Sequence, residues 1–455
     1  DRTFDVTTAA AHGGVDCLHG DGDVDIIASS SIGTIALYSN NGYGSFTKTT
    51  KTTSSNDDLV QSIPVDMTND GKLDYVYIDQ TNKKIVVQND HAANQSLETI
   101  TIKQASSAPT EIYCADVDGD GDLDVIAAYG SDDNIYWYKS SGSGTSFTEY
   151  LVYNGADNVS GVYAEDIDSD GDIDILSSSY DDDKILWFQN DGDENFSVQT
   201  IVSNADGATD VHAVDLDSDG DMDVVSCSEG DDIVAWYRNN GSESFTKLTI
   251  CSTLSNPKNV YANDLDADGD MDLFTASSGD NKITWFQNDG SETFTQHTVS
   301  SSESGATSVH TADLDGDGFM DIISASPTDS TVAWFKPDVS FTWQGTNDTF
   351  WTTGNNWKAG TTPTRTDDIY IPSSVSQFPF LSSNTEVADV TMDANSRMRI
   401  KENITLDVAG DFNLSGTSPV SLGPGTLKFS GDEKQTIDGV IKANLQIDNT
   451  SDITF

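Results

Sequence analysis

The chain has 455 residues, 76 acidic against 22 basic, and a formal charge of −54 at pH 7. Such a field repels nucleic acid and anionic membranes, so neither is expected as a partner. No apolar run reaches the roughly 18 residues that a spanning helix needs, which excludes membrane insertion by that route.

In chain order, the first candidate element is the alternating segment Thr3-Phe-Asp-Val-Thr-Thr8. The start at Asp1, without methionine, gives the expectation of a processed mature form. An acidic loop then recurs seven times. The first copy, Cys17 to Asp25, has Cys17 and His19 where the later copies carry acids, and is expected to bind a cation weakly or not at all. The second keeps Asp66, Asp70 and Asp74, with Thr68 at its third position. The next four are complete, with acids at alternate positions: Asp116, Asp118, Asp120, Asp122 and Asp124; Asp166, Asp168, Asp170, Asp172 and Asp174; Asp215, Asp217, Asp219, Asp221 and Asp223; Asp264, Asp266, Asp268, Asp270 and Asp272. The seventh has Asp313, Asp315, Asp317 and Asp321, with Phe319 at its seventh position.

The spacing carries a specific chemistry. Side chains at positions 1, 3 and 5, a backbone carbonyl at 7 and an acid at 9 can wrap a hard cation, and glycine at 6 permits the sharp turn. Without a cation the loop repels itself: two like charges about 4 Å apart cost about 4 kcal/mol at an effective dielectric near 20. A merely solvated acidic loop needs neither the alternation nor the glycine. Calcium is the expected ion, about five to seven per chain. The loops hold 30 of the 76 acids, so bound calcium would offset part of the net charge.

The ninth-position aspartates recur every 49 or 50 residues, the signature of a repeat architecture. Within one period, Val211–Asp215, Asp223–Ser228, Ile233–Tyr237 and Phe245–Ile250 read as four strands, with Asn239-Asn-Gly241 as a hairpin turn. Four antiparallel strands per unit, seven units and no helical periodicity predict an all-β, seven-bladed β-propeller over residues 1–337. A β-sandwich would not show this period. The last unit lacks its fourth strand, so Thr3–Thr8 is expected to close the ring, with Phe341-Thr342 as a rival.

Repeats such as Asp264-Leu-Asp-Ala-Asp-Gly-Asp-Met-Asp272 followed by Ile283-Thr-Trp-Phe-Gln-Asn-Asp-Gly290 resemble FG-GAP/VCBS-type propeller repeats. These occur in integrin alpha-subunit heads, some fungal lectins and many secreted bacterial proteins. The resemblance implies the fold and the calcium. It leaves the function open, because one propeller serves many tasks. The sequence departs from the pattern in its first loop and at Val87, which stands where tryptophan is usual.

From about Val339 a second module opens with Trp343-Gln-Gly345, Asn356-Trp357 and Pro363, followed by short alternating strands to the end of the chain. It resembles β-solenoid-like modules of large secreted bacterial adhesins, with a sandwich as the other all-β possibility over 338–455. The chain ends in mid-strand at Phe455, which gives the expectation of a longer parent.

Trp137, Trp187, Trp236, Trp285 and Trp334 share one register and are expected to fill the wedge between blades, with sugar stacking as the alternative. Tyr113, Tyr163, His212, Tyr261 and His310 share another, on the innermost strands, and are expected to pack between blades or ring the channel. No histidine sits in a catalytic triad or zinc-protease context, and no cofactor loop occurs. The expected function is that of a secreted or cell-surface, calcium-stabilised binding or adhesion protein. Its ligand is expected to be a glycan or an extracellular protein surface, met by the turns opposite the acidic loops, where Asn158 and Asn281 are candidate ligand residues. The alternatives are a self-assembling subunit of a surface layer or filament, and a polysaccharide-degrading enzyme.

Overall fold

The computed structural model describes residues 2–5, 10–16, 23–31, 33–41, 45–52, 57–89, 98–142, 144–266, 269–314, 320–336, 341–357, 362–363, 365, 369–393, 396–410, 412–415, 420–430, 435–438, 441–447 and 453–454. The chain divides into two compact units, the first ending at Pro337 and the main part of the second beginning at Asp338. Among the described residues, no helix is long and apolar enough to cross a membrane.

The first unit is built from seven four-stranded antiparallel sheets, the blades of a propeller. Blade 4 is typical: Val159–Glu165, Asp174–Ser179, Lys184–Asn190 and Phe196–Val202 lie side by side in chain order. The first strands of successive blades lie against one another around the centre. Strand bounds differ from the sequence reading by a few residues; in blade 5 the strands are Ala208–Val214, Asp223–Ser228, Ile233–Arg238 and Thr246–Cys251.

All seven second strands are buried at every position. A strand that faces solvent on one side alternates; one covered by a neighbouring blade on each face does not. That burial explains the small residues there, such as Ser177, Ser178 and Ser179 of blade 4: a thin strand lets both neighbours approach.

The tryptophans make the joints. Trp137 meets Phe196 of the next blade edge-to-face, with ring centroids 6.2 Å apart. The same contact joins Trp187 to Phe245 at 6.1 Å, Trp236 to Phe294 at 6.3 Å and Trp334 to Phe46 at 5.8 Å. Each such pair contributes about 0.5–1.5 kcal/mol beyond its burial. Trp285 is half-buried and stacks on His297 within its own blade at 4.6 Å. In blade 2 the position falls to Val87, fully buried in the core there.

The seventh blade takes its outer strand from the other end of the chain. Arg2–Asp5 pairs antiparallel with Thr331–Phe335, Arg2 opposite Trp334 and Asp5 opposite Thr331. Residues 6–8 of the expected closing segment lie outside the described residues. Phe341–Thr342 pairs instead with Ile369–Ile371, in the second unit.

Every named strand pair of that second unit is parallel. Ile369 stands beside Val390 and Val390 beside Phe412 in one sheet; Leu406 beside Leu427 and Leu427 beside Leu445 in another. Trp343, Trp351 and Trp357 are buried at one place in its core, with Trp351 and Trp357 rings 4.6 Å apart. Buried Asn356 ties their loop together: its Oδ1 accepts from the amides of Asn347 and Asp348, and its Nδ2 donates to Asp348 Oδ1.

Candidate metal centres

Each acidic loop is folded by its own carboxylates before any cation is considered. Asp116 accepts the amide of Asp120 at 3.1 Å on one oxygen and that of Gly121 at 2.9 Å on the other. Asp166 and Asp215 hold the fifth- and sixth-position amides of their loops in the same way. Asp66 does so as well, at 3.0 and 2.7 Å, so the blade-2 loop keeps the fold despite Thr68. Asp120 then accepts the amide of Asp122 at 3.0 Å, tightening the turn. The sixth-position glycines need their left-handed backbone rather than space: Gly121 has φ +91°, and nothing stands within 4 Å of where a Cβ would be.

The ninth-position aspartate is fully buried and joins three elements. Asp174 accepts Ile167 N at 3.2 Å and Trp187 Nε1 at 2.9 Å on one oxygen, and Asn190 N at 2.7 Å on the other. Asp124 makes the same three contacts with Val117, Trp137 and Ser140. Burial pushes both, with Asp223, up to about 7, against hydrogen bonds that favour the charged form. In blades 3 and 4 the tryptophan that packs against the next blade therefore also anchors the loop of its own.

Asparagines at the end of the third strands carry the linkage around the ring. Asn190 Nδ2 donates at 3.0 Å to Ile173 O in its own blade and at 3.0 Å to Val117 O in the preceding loop. Asn288 does the same with Met271 and Leu216. Asn40 reaches Leu314 O of the seventh blade at 2.5 Å, so this chain of contacts crosses the closure. The sequence reading treated such asparagines only as turn formers; their recurrence at Asn40, Asn190, Asn239 and Asn288 was the available signal.

Carboxylates converge in four loops. Oxygens of Asp116, Asp118 and Asp120 lie within 4.8 Å of one another, as do those of Asp166, Asp168 and Asp174, of Asp215, Asp217 and Asp219, and of Asp264, Asp266 and Asp272. Asp118 Oδ1 and Asp217 Oδ1 are buried and accept no hydrogen bond. Buried, unpaired carboxylate oxygens are costly unless a cation meets them. An all-oxygen set at this spacing suits a hard divalent cation, so the residues present fit the ion that the spacing predicts. Lys139 already pairs with the other oxygen of Asp118 and with Glu194.

The seventh-position acids behave differently. Carboxylates of Asp122, Asp172, Asp221 and Asp270 sit beneath glycines of the following hairpin, Gly142, Gly192, Gly241 and Gly290, and are absent from the four clusters. What position 7 can still offer is its carbonyl. Asp70 accepts Lys72 N as Asp120 accepts Asp122 N, whereas Asp74 accepts the third-position amide, Thr68 N, at 3.0 Å instead of the second. Asp321 accepts Leu314 N at 3.0 Å. Asp21, Asp268, Asp315 and Asp317 lie outside the described residues, and Asp170, Asp223 and Asp313 are not grouped with their neighbours.

Asn158 and Asn281 both have left-handed backbone, φ 52° and 58°. Asn281 Oδ1 accepts Gly305 N at 3.0 Å, and Asp133 Oδ1 accepts Asn158 N at 3.0 Å. Asp183 and Asp232 cap the blade-to-blade linkers in the same manner, at Gly207 and Asn256. Both asparagines therefore belong to a repeated turn-to-linker clamp. Of the cysteines, Cys114, Cys227 and Cys251 are free; Cys17 lies outside the described residues.

No curated protein matches the chain. Solved structures share its fold: BBS1N in complex with ARL6DN, soaked with lead, has a TM-score of 0.50 at 12% identity, covering 74% of this chain and 97% of that one. The mercury-soaked form gives 0.52 at 9% identity with the same coverage. The FG-GAP-like repeat matches six overlapping segments: residues 18–77, 66–127, 116–177, 166–226, 215–275 and 264–324. Each match runs from one acidic loop through the next, so the unit of the family is the unit of this fold, and the chain belongs to the FG-GAP-like repeat family.

Proposed function

We propose that this protein is a secreted or cell-surface binding protein, a propeller held rigid by calcium that engages a macromolecular surface through its loops. The observation that carries the reading is the recurrence of one oxygen cluster in four blades. A ring stiffened at each blade presents its turns in fixed geometry, which lowers the ordering cost of binding. The turns opposite the acidic loops offer amides, hydroxyls and carboxylates, Asn158 and Asn281 among them, suited to a protein surface or to glycans borne on one. The BBS1N propeller, solved in complex with ARL6DN, supports a protein as the first partner class to test. We read residues 1–337 as the binding head and 338–455 as a solenoid-like module built from parallel coils.

The test is binding of the whole chain to arrays of glycans and of extracellular proteins, with calcium and with chelator. Selective, calcium-dependent binding that weakens in Asn158→Gly/Asn281→Gly, glycines that keep the left-handed turns, is the expected result. Turnover of a polysaccharide would replace this reading with an enzyme, and ordered self-assembly without ligand would replace it with a structural subunit.

A further inference from the structure

The centre of the propeller contains a cavity of about 350 Å³ walled by the first strands. Two layers of that wall can be followed from blade to blade. In one, aromatic rings touch in sequence: Tyr113 to Tyr163 with centroids 4.8 Å apart, Tyr163 to His212 at 4.3 Å, His212 to Tyr261 at 5.5 Å and Tyr261 to His310 at 5.0 Å. In the other, two residues earlier on each strand, a polar side chain accepts the amide of the next blade. Gln61 Oε1 takes Ile112 N at 2.8 Å, Glu111 Oε2 takes Val162 N at 3.1 Å, Asp210 Oδ2 takes Val260 N at 3.0 Å and Asn259 Oδ1 takes Val309 N at 2.9 Å.

Among the described residues, blade 4 interrupts the polar layer. Blade 4 has Gly161 there, and a Cβ at that point would meet Glu111 Oε2 at 3.2 Å and the Asp210 backbone at 3.3 Å. Gly161 therefore stands between Glu111 and Asp210 with no side chain of its own to separate them. Among the described residues no lysine or arginine lines the cavity, and Lys258 is paired with Glu229. Both Asp210 oxygens accept N–H groups, from Val211 on Oδ1 and from Val260 and Asn259 on Oδ2. Glu111 Oε1 accepts none, while Glu111 itself lines the cavity.

We propose that this cavity binds an organic cation bearing N–H groups, of the alkylguanidinium or alkylammonium class, its charge against Glu111 and Asp210 and its stem among the tyrosines. Guanidinium and ammonium groups suit a free carboxylate oxygen beside aromatic faces. A divalent metal does not, because it takes six or more oxygens and the carboxylates of this wall offer one that is uncommitted. The state of the wall agrees. Burial, and then the charge of Asp210, push the Glu111 carboxyl well above the ordinary range, and burial pushes Asp210 up to about 6. Burial holds His212 down, to about 4, so it adds no competing charge at neutral pH. The other titratable groups of the described cavity wall are Tyr113, Tyr163, Tyr261 and His310, with Cys227 opposite Asp210 on the next strand. A cation displaces the proton that the pair holds, so affinity is expected to rise as rising pH removes that proton.

The cationic group could belong to a free small molecule or to a side chain of a polypeptide. Isothermal titration of the full chain in saturating calcium therefore uses n-butylguanidinium and n-butylammonium chloride in one arm and the blocked tripeptide acetyl-Gly-Arg-Gly-amide in the other. The informative variant is Glu111→Gln/Asp210→Asn. The ring itself shows that it should fold, since Gln61 and Asn259 hold the same inter-blade amide at equivalent positions. Saturable binding by wild type that falls about tenfold or more in the variant, with the melting temperature kept or raised, is the expected result. Response in both arms assigns a small molecule or an accessible side chain, and response of the tripeptide alone assigns a polypeptide. No binding in either arm, or equal binding by the folded variant, overturns the proposal.

Discussion

A single contact, Trp187 Nε1 to Asp174 Oδ2 at 2.9 Å, connects the packing between blades to the candidate metal loop. Replacing Trp187 with Phe keeps most of the apolar ring and removes the donor. The expected cost is about 1–3 kcal/mol, that of leaving a buried carboxylate short of one hydrogen bond, read from urea unfolding. A cost under about 0.5 kcal/mol would mean that the indole serves packing alone. The clamp at Asn281 makes a second test at this scale. Asn281→Ala puts a β-carbon residue at φ 58° and removes the acceptor for Gly305 N, for about 1–2 kcal/mol, whereas Asn281→Gly loses only the acceptor. Thermal denaturation of the two variants should rank Ala below Gly. Alternating acids could be read as a cation loop because their chemistry is local, spanning nine residues. The pairing of Trp187 with Asp174 could not, since thirteen residues and a hairpin separate them. Nor could the role of Asn281, because its side chain answers a linker 24 residues further on.

At the scale of elements, a period of 49 or 50 residues located all seven units, and the hydrophobic runs located four strands in the unit around Val211–Ile250. Strand ends were less legible. First strands carry register shifts, between Val159 and Gly161 in blade 4 for example, and alternation does not survive a bulge. Full burial of the second strands follows only once neighbouring blades are stacked on them. The outer strand of blade 7, Arg2–Asp5, has the longest reach in sequence, pairing with Thr331–Phe335. Deleting residues 1–5 should leave the edge of Thr331–Phe335 unpaired, with aggregation or a lowered melting temperature by light scattering and calorimetry. A monomer of unchanged stability would show that the ring does not depend on that strand.

For the whole molecule, the arrangement is a ring whose blades are joined by three kinds of contact, all three present between blades 3 and 4. Tryptophan meets phenylalanine in the core, asparagine meets a carbonyl beside the acidic loops, and polar side chains meet amides around the central cavity. Loops and packing are thus one mechanical system, and charge is its weak point: the formal charge of −54 opposes compaction unless cations neutralise part of it. The central cavity was legible only as a register of aromatic residues. Its carboxylates stand on either side of Gly161, whose meaning appears when three blades are placed side by side. The most direct measurement is the melting temperature of the full chain against free calcium, from excess chelator to about 10⁻² M, with magnesium as control. Binding to the folded state alone should raise it steadily once calcium passes about 10⁻⁴–10⁻³ M, with magnesium failing to substitute. A melting curve that is the same in chelator and in calcium would contradict the account.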